Sequence, residues 1–225
     1  MTVGPPEPVN RRGAKLAAAL RRLDGSPTLM RAVNAAREVG LAALQLWQAV
    51  SEKTGRGQGH EGAAIMFTDL VDFSSWVLDV GDEAALELLR EVSGVVEPAI
   101  REHDGRLVKR LGDGHMAVFP SAESAVAAAL TMQERLEDVE VCGHRPQLRA
   151  GVHIGHPRQL GGDYLGRDVN IAARITDAAK GGELLVSDAV VDQTDCTGFE
   201  VKKRRWFRAK GAPRELQVYS LQRAG

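Results

Sequence analysis

The 225-residue sequence has only two cysteines, Cys142 and Cys196, far apart and without CxxC spacing. That excludes a disulfide framework and a thiolate zinc site, and it suits a reducing compartment. Its six histidines form no HExxH pattern, so the usual histidine zinc motif is missing as well. Neither sign of charge is in excess, with 29 Lys and Arg against 30 Asp and Glu. A surface built to bind nucleic acid is therefore not expected. No uncharged stretch reaches the roughly 20 residues that a membrane span needs. The opening MTVGPPEPVNRRGAKLAAALRRL has no signal-peptide core, because Arg21 and Arg22 break its apolar run. A cytoplasmic protein without a transmembrane segment is the resulting expectation.

What is present can fill a core: 44% of the residues are hydrophobic, which predicts one principal domain and an appendage. Residues 1–10 carry three prolines and little to bury, and read as disordered. Residues 11–54 read as a helical segment. A basic helix covers about 12–23, DGSP stops it, and Ser26 with Pro27 opens a second helix near 28–53. Leu29, Val33, Ala36, Gly40, Ala43, Trp47 and Val50 follow alternating steps of four and three. Such a seam either pairs two copies of the chain or packs on its own domain. It is also where a regulatory partner or ligand would act. Residues 55–61 are glycine-rich and polar, a linker, and residues 62–225 form the main domain.

Within that domain AAIMFTDL (63–70) reads as a buried strand. A helix follows at about 82–103, with Ala85, Leu89, Val92, Val96 and Ala99 on one face and Pro98 near its last turn. LVKRLGDGHMAVF (107–119) is a hairpin, 121–138 an alanine-rich helix, and QLRAGVHIG (147–155) a strand. After a glycine-rich turn come a helix at 167–180, the strand ELLVS, and two closing strands near 199–208 and 214–221. The order predicts an α+β fold: a ferredoxin-like or palm-like sandwich, with helices on one face of a mainly antiparallel sheet.

Two carboxylates draw attention. Asp69 stands where the first strand ends, and Asp113 occupies the Gly112-Asp113-Gly114 tip of the hairpin. Asp-Gly is ordinary turn composition, and Asp69 or Asp72 suits a helix cap, so each has a purely structural reading. In a split βαβ arrangement, however, the strand end and the hairpin tip lie side by side. Two converging carboxylates repel unless a divalent cation sits between them, and hard oxygens suit Mg²⁺. Backbone N–H groups of the turn at 70–74, including that of Phe73, would suit phosphate.

Residues 62–221 resemble the catalytic domain of the class III nucleotide cyclases, and the shortness of one arm resembles a bacterial adenylate cyclase type. Five segments in order carry the resemblance: FTDLVDF, VKRLGDGHMAVF, LRAGVHIG, GDYLGRDVNIAARI and RAKGAPRELQVY. The resemblance implies ATP conversion to 3′,5′-cyclic AMP and pyrophosphate with two divalent cations, Mg²⁺ or Mn²⁺. Asp69 and Asp113 match the metal aspartates, with the Leu70 carbonyl as a further ligand. Lys109 and Asp163 match the pair that reads adenine, the lysine donating to N1 and the aspartate accepting from the N6 amino group. Guanylate cyclases typically carry other residue types at these two places. Asn170 matches the residue that orients the ribose and Arg174 the one that stabilises the transition state. Arg149 and Lys210 match phosphate contacts.

The resemblance also implies a homodimer with shared sites. One chain supplies the metal aspartates, and its partner supplies Lys109, Asp163, Asn170 and Arg174. Two departures from the family pattern stand out. Asp72 replaces a frequent glycine, and only nine residues separate His153 from Asp163, where many relatives have a longer arm. Three other readings are a guanylate or relaxed-specificity cyclase, an inactive nucleotide-sensing dimerisation module, and a palm-like polymerase or dinucleotide cyclase. The last lacks its usual glycine-glycine-acidic-glutamate-phenylalanine hairpin.

Overall fold

The computed structural model describes residues 62–205, 207, 213 and 215–224. The sequence-predicted N-terminal helices, the heptad seam, the linker and Lys210 lie outside the described residues. Five helices and nine strands are described: β1 (Ala63–Leu70), α1 (Phe73–Val80), α2 (Asp82–Glu102), β2 (Arg106–Leu111), β3 (Gly114–Phe119), α3 (Ala122–Leu136), β4 (Leu148–Gly155), β5 (Arg158–Leu160), β6 (Asp163–Leu165), α4 (Arg167–Ala178), β7 (Leu184–Ser187), α5 (Asp188–Val191), β8 (Phe199–Lys203) and β9 (Val218–Arg223). Seven strands make one sheet in the order β2-β3-β1-β4-β7-β9-β8, and β5 and β6 make a separate hairpin. Only β4 and β7 run parallel; the other described pairs are antiparallel.

Strand β1 is apolar on both sides because both sides are covered. Ala64 and Met66 enter the larger core with Leu88, Val92 and Val96 of α2 and the alanine face of α3. Ile65 and Phe67 point the other way, onto Val169 and Ala172 of α4. Alternate residues of a strand face opposite sides, so the continuous apolar run is the signature of a central, doubly covered strand. Ser121 caps α3, its hydroxyl accepting from the Ser124 N–H at 3.1 Å.

The expectation that the helices share one face is corrected here: α2 and α3 cover one side of the sheet, and α4 covers the other. Glycine hid this. Along β4 the positions that face α4 include Gly151 and Gly155, which carry no side chain to show an apolar stripe. The face of α2 is also shifted, since Leu88 rather than Leu89 is fully buried. Pro98 lies inside α2, which continues to Glu102. Three features were not read from sequence: α1, α5 and the β5–β6 hairpin, which occupies the stretch taken as a glycine-rich turn.

A Cβ on Gly151 would lie 2.8 Å from Thr176 Cα and closer still to that residue's backbone nitrogen. Backbone cannot move aside as a flexible side chain can. Gly151→Ala should therefore lose about 1–3 kcal/mol of stability. Gly94→Ala, in the interior of α2 with open space around the new methyl, should gain about 0.5–1 kcal/mol. Urea midpoints of the two variants would show opposite shifts, and equal shifts would refute the close contact.

Candidate active site

The site is built at one end of β1. Asp69 sits one residue before the strand's last residue, Leu70, and faces the α4 side. The hairpin β2–β3 turns through Gly112 and Asp113, so Asp113 enters immediately before β3. Register places Thr68 opposite His115, which brings Asp69 level with Gly114. A Cβ on Gly114 would meet the Thr68 carbonyl and come within 3.6 Å of Asp69 Cα. Glycine is thus what lets the hairpin tip close onto the end of β1. Asp113 is only 7% exposed. The turn is also how the second carboxylate is delivered.

This donor set fits a hard divalent cation. It consists of two carboxylates from adjacent strand ends, with the Leu70 carbonyl beside them. Among the described residues no group of three or more His, Cys, Asp and Glu side chains forms a metal cluster. An ion here would therefore take its remaining ligands from water and phosphate oxygens, as Mg²⁺ commonly does. Arg149 lies directly across from Asp69 in the β1–β4 ladder. Its Nε donates to Asp69 Oδ2 at 3.0 Å, Nη2 donates to the same oxygen, and Nη1 donates to the Asp177 carbonyl at 3.1 Å. The residue matched to phosphate binding is thus held on the carboxylate matched to metal binding.

Beyond β1 the chain makes a tight turn. Asp72 has φ 58 and ψ 11, the left-handed conformation, and its side chain makes no capping hydrogen bond to α1. Glycine reaches this conformation without penalty, so the frequent family glycine has a backbone reason. Phe73 is the first residue of α1. That helix has no fully buried residue; Phe73, Trp76 and Val80 pack half-buried on the larger core, and Trp76 stacks on His144 at 4.8 Å between ring centroids.

Lys109 and Asp163, 54 residues apart in sequence, meet at 2.6 Å. A bulge in β2 makes this possible: the register slips between Leu107 and Lys109, so Lys109 pairs with Met116 instead of His115. Met116 is on the α4 side of the sheet, whereas His115 faces Ser93 of α2. One extra residue thus turns the lysine to the side where Asp163 waits. Asp163 Oδ1 also accepts from the Tyr164 N–H at 2.7 Å, and Tyr164 lies beneath the Arg106 guanidinium.

Asn170 and Arg174 lie one turn apart on α4, where Arg174 pairs with Asp177 at 3.1 Å. The structure therefore forms two clusters within the chain: Asp69, Asp113 and Arg149 in one, Lys109 and Asp163 in the other. The ion-pair partner of Arg174, Asp177, lies on its own helix.

Sequence reasoning missed the root of α4. There His153 Nδ1 meets Ser187 Oγ at 2.9 Å, and its Nε2 faces Asp168 Oδ1 at 3.8 Å. The His156 N–H donates to Asp168 Oδ2 at 2.7 Å. Ser187 is 0% exposed, so this Ser-His-Asp trio is a structural tie and not a nucleophile site. Its signal was the HIG…GRD spacing, which carries no chemistry unless the fold is known. His153, followed by the His156 backbone, holds the Asp168 carboxyl below its ordinary value against the opposing effect of burial.

A family profile described as the adenylate and guanylate cyclase catalytic domain matches residues 56–223. The chain belongs to that family. The cyclase domain is similar to a pH-sensitive adenylate cyclase of Mycobacterium tuberculosis, 27% identical over 172 residues that cover 73% of this chain and 42% of that protein. It is also similar to an adenylate cyclase of Streptomyces coelicolor, 31% identical over 130 residues, 58% of this chain and 33% of that one. An uncharacterised protein of M. tuberculosis is 35% identical over 131 residues, 57% and 33% of the two chains. The chain spans about a third of the length of the first curated relatives it matches. Among solved structures, the catalytic core of a rhodopsin-guanylyl cyclase with converted specificity, bound to ATPαS, aligns with a TM-score of 0.68 at 20% identity, over 75% of this chain and 99% of that one. The adenylyl cyclase CyaB of Pseudomonas aeruginosa aligns with a TM-score of 0.62 at 21% identity, over 76% and 97%. These likenesses establish the palm-like α+β cyclase fold.

Two outcomes follow from the site's backbone and charge. Asp72→Gly should hold stability or raise it by up to about 1 kcal/mol, whereas Asp72→Val should lose about 1–3 kcal/mol. Loss of stability in Asp72→Gly, read from denaturant midpoints, would show that the side chain matters more than the backbone angle. The depressed Asp168 carboxyl contributes stability above its unfolded-state value, lost as pH falls through the folded one. The advantage of the wild type over Asp168→Asn should therefore be constant near neutrality and shrink below about pH 4. Melting curves across pH would reveal a constant difference if the charge were irrelevant.

Proposed function

We propose that this domain is an adenylate cyclase, converting ATP to 3′,5′-cyclic AMP and pyrophosphate in the cytoplasm, at two sites shared across a homodimer. The Lys109–Asp163 pair at 2.6 Å carries the reading of the base. It sets a donor beside an acceptor, which matches the adenine edge, where N1 accepts and the N6 amino group donates. Guanine presents the reverse pattern at those two positions and would leave both groups mismatched.

Asp69, Asp113 and the Leu70 carbonyl would hold two Mg²⁺ or Mn²⁺ ions. When bound, such ions lower the pKa of the ribose 3′-hydroxyl and neutralise triphosphate charge. The 3′-oxygen then attacks the α-phosphorus, the bond to the bridging oxygen breaks, and pyrophosphate leaves with the electron pair. Asn170 orients the ribose. Arg174 supplies a permanent charge and a fixed fork of donors to the crowded phosphorus centre. Backbone N–H groups at Phe73 and the start of α1 take phosphate oxygens, with Arg149 and Lys210 as further cations. Asp69 and Asp113 come from one chain, and Lys109, Asp163, Asn170 and Arg174 from the other. A two-fold dimer then owns two complete sites.

Purified protein incubated with ATP or GTP, and with Mg²⁺ or Mn²⁺, should form cyclic AMP from ATP. Dominant cyclic GMP formation would establish a guanylate cyclase instead, and no cyclic nucleotide under any condition would overturn the enzyme reading. Shared sites have their own test. Asp69→Ala and Arg174→Ala should each be inactive alone, yet equal mixing with free subunit exchange makes about half the dimers mixed, each with one intact site. The mixture should recover roughly a quarter of wild-type activity. Two inactive proteins that stay inactive after verified exchange would place the whole site in one chain.

A further inference from the structure

Arg149 is bound where a metal ligand is needed. Two of its N–H groups converge on Asp69 Oδ2, and the third contact, to the Asp177 carbonyl, ties the guanidinium to the end of α4. The side chains of Arg149 and Asp69 are 21% and 16% exposed, so water screens the pair only weakly. The pairing has an evident electrostatic purpose. Asp69 lies beside the Asp113 tip, and neighbouring carboxylates destabilise one another unless a positive charge offsets them. Arg149 supplies that charge from within the chain.

A divalent ion brings the same compensation with twice the charge. With two N–H groups already on Oδ2, an ion at Asp69 meets a guanidinium on the same carboxylate, and two cations there repel strongly where screening is weak. We propose that Arg149 and the divalent cation compete for Asp69, and that metal entry hands the displaced guanidinium to the substrate triphosphate. This rests on the reading of Asp69 as a metal ligand. Arginine suits the exchange because its planar fork fits carboxylate and phosphate oxygens alike. The carbonyl of Asp177 is a neutral acceptor and holds it less strongly than either anion. Metal binding thereby precedes full engagement of the triphosphate, and each Arg149 substitution should move the two affinities in opposite directions. A merely structural arginine would weaken both.

The test uses the full chain, with free Mn²⁺ followed by electron paramagnetic resonance in the absence of nucleotide. Arg149→Met should bind Mn²⁺ at least about fivefold more tightly than wild type. At saturating Mn²⁺ it should bind α,β-methylene ATP about tenfold more weakly, by calorimetry. Arg149→Lys keeps the charge without the fork and should fall between the two, which preserves the test if the methionine variant fails to fold. Unchanged or weaker Mn²⁺ binding in the folded Arg149 variants would overturn the competition. Tighter Mn²⁺ binding with unaltered affinity for the analogue would overturn the hand-over. Asp69→Asn separates the two readings: if it binds Mn²⁺ as wild type does, Asp69 is not a metal ligand and the underlying assignment fails.

Discussion

Helix α4 rests on β4 with almost nothing between them. Gly151 leaves room for the Thr176 backbone, and Gly155 leaves room for the Asp168 side chain. The Thr176 hydroxyl donates to the Phe67 carbonyl at 3.3 Å and to the Ala172 carbonyl at 3.0 Å, so the helix is also bonded to β1. Close contact of this kind leaves little freedom to slide or rotate, because the strand side is bare backbone and the helix packs directly on it. The direction in which Asn170 and Arg174 point is therefore set by two glycines, Gly151 and Gly155, on the strand beneath the helix. The trio Ser187, His153 and Asp168 adds a polar tie at the helix start.

Charge in and around this site is paired across elements, and the pairs differ in how readily they separate. Arg174 and Asp177 are 31% and 55% exposed, and such a surface pair contributes about 0–1 kcal/mol. Separating Arg174 from Asp177 therefore costs little. The Asp69–Arg149 pair is better shielded, at 16% and 21% exposure, so its two charges hold each other more strongly than a surface pair does. Lys109 and Asp163 lie between these cases, and the backbone N–H of Tyr164 fixes the aspartate. A base that matches both groups exchanges one hydrogen-bonded arrangement for another.

Much of the fold was legible because its signals are local. The β1 run AAIMFTDL, the Asp-Gly hairpin tip and the alanine-rich run of α3 each carry their reason within a few residues. What escaped has a common cause. Helix α1 spans only eight residues, so its short apolar stripe of Phe73, Trp76, Val77 and Val80 gives little more than two turns of signal. The second face of the sheet was hidden because β4 presents glycines there. The buried trio at the root of α4 joins residues from β4, α4 and β7, and its members look unremarkable until they meet.

The sequence by itself determined the inventory: which carboxylates, cations and amides the domain owns, their order, and the turn and helix spacing that deliver Asp113, Asn170 and Arg174. These follow from local rules, since a turn type or a helical step needs only neighbouring residues. Tertiary structure alone decided the partnerships. Lys109 reaches Asp163 because a bulge of one residue changes the face it points to. Arg149 meets Asp69 because antiparallel register sets two residues opposite each other across 80 positions of chain. Register and face are properties of how strands meet, and a one-residue slip exchanges every neighbour. Composition and spacing along one strand contain no measure of that slip.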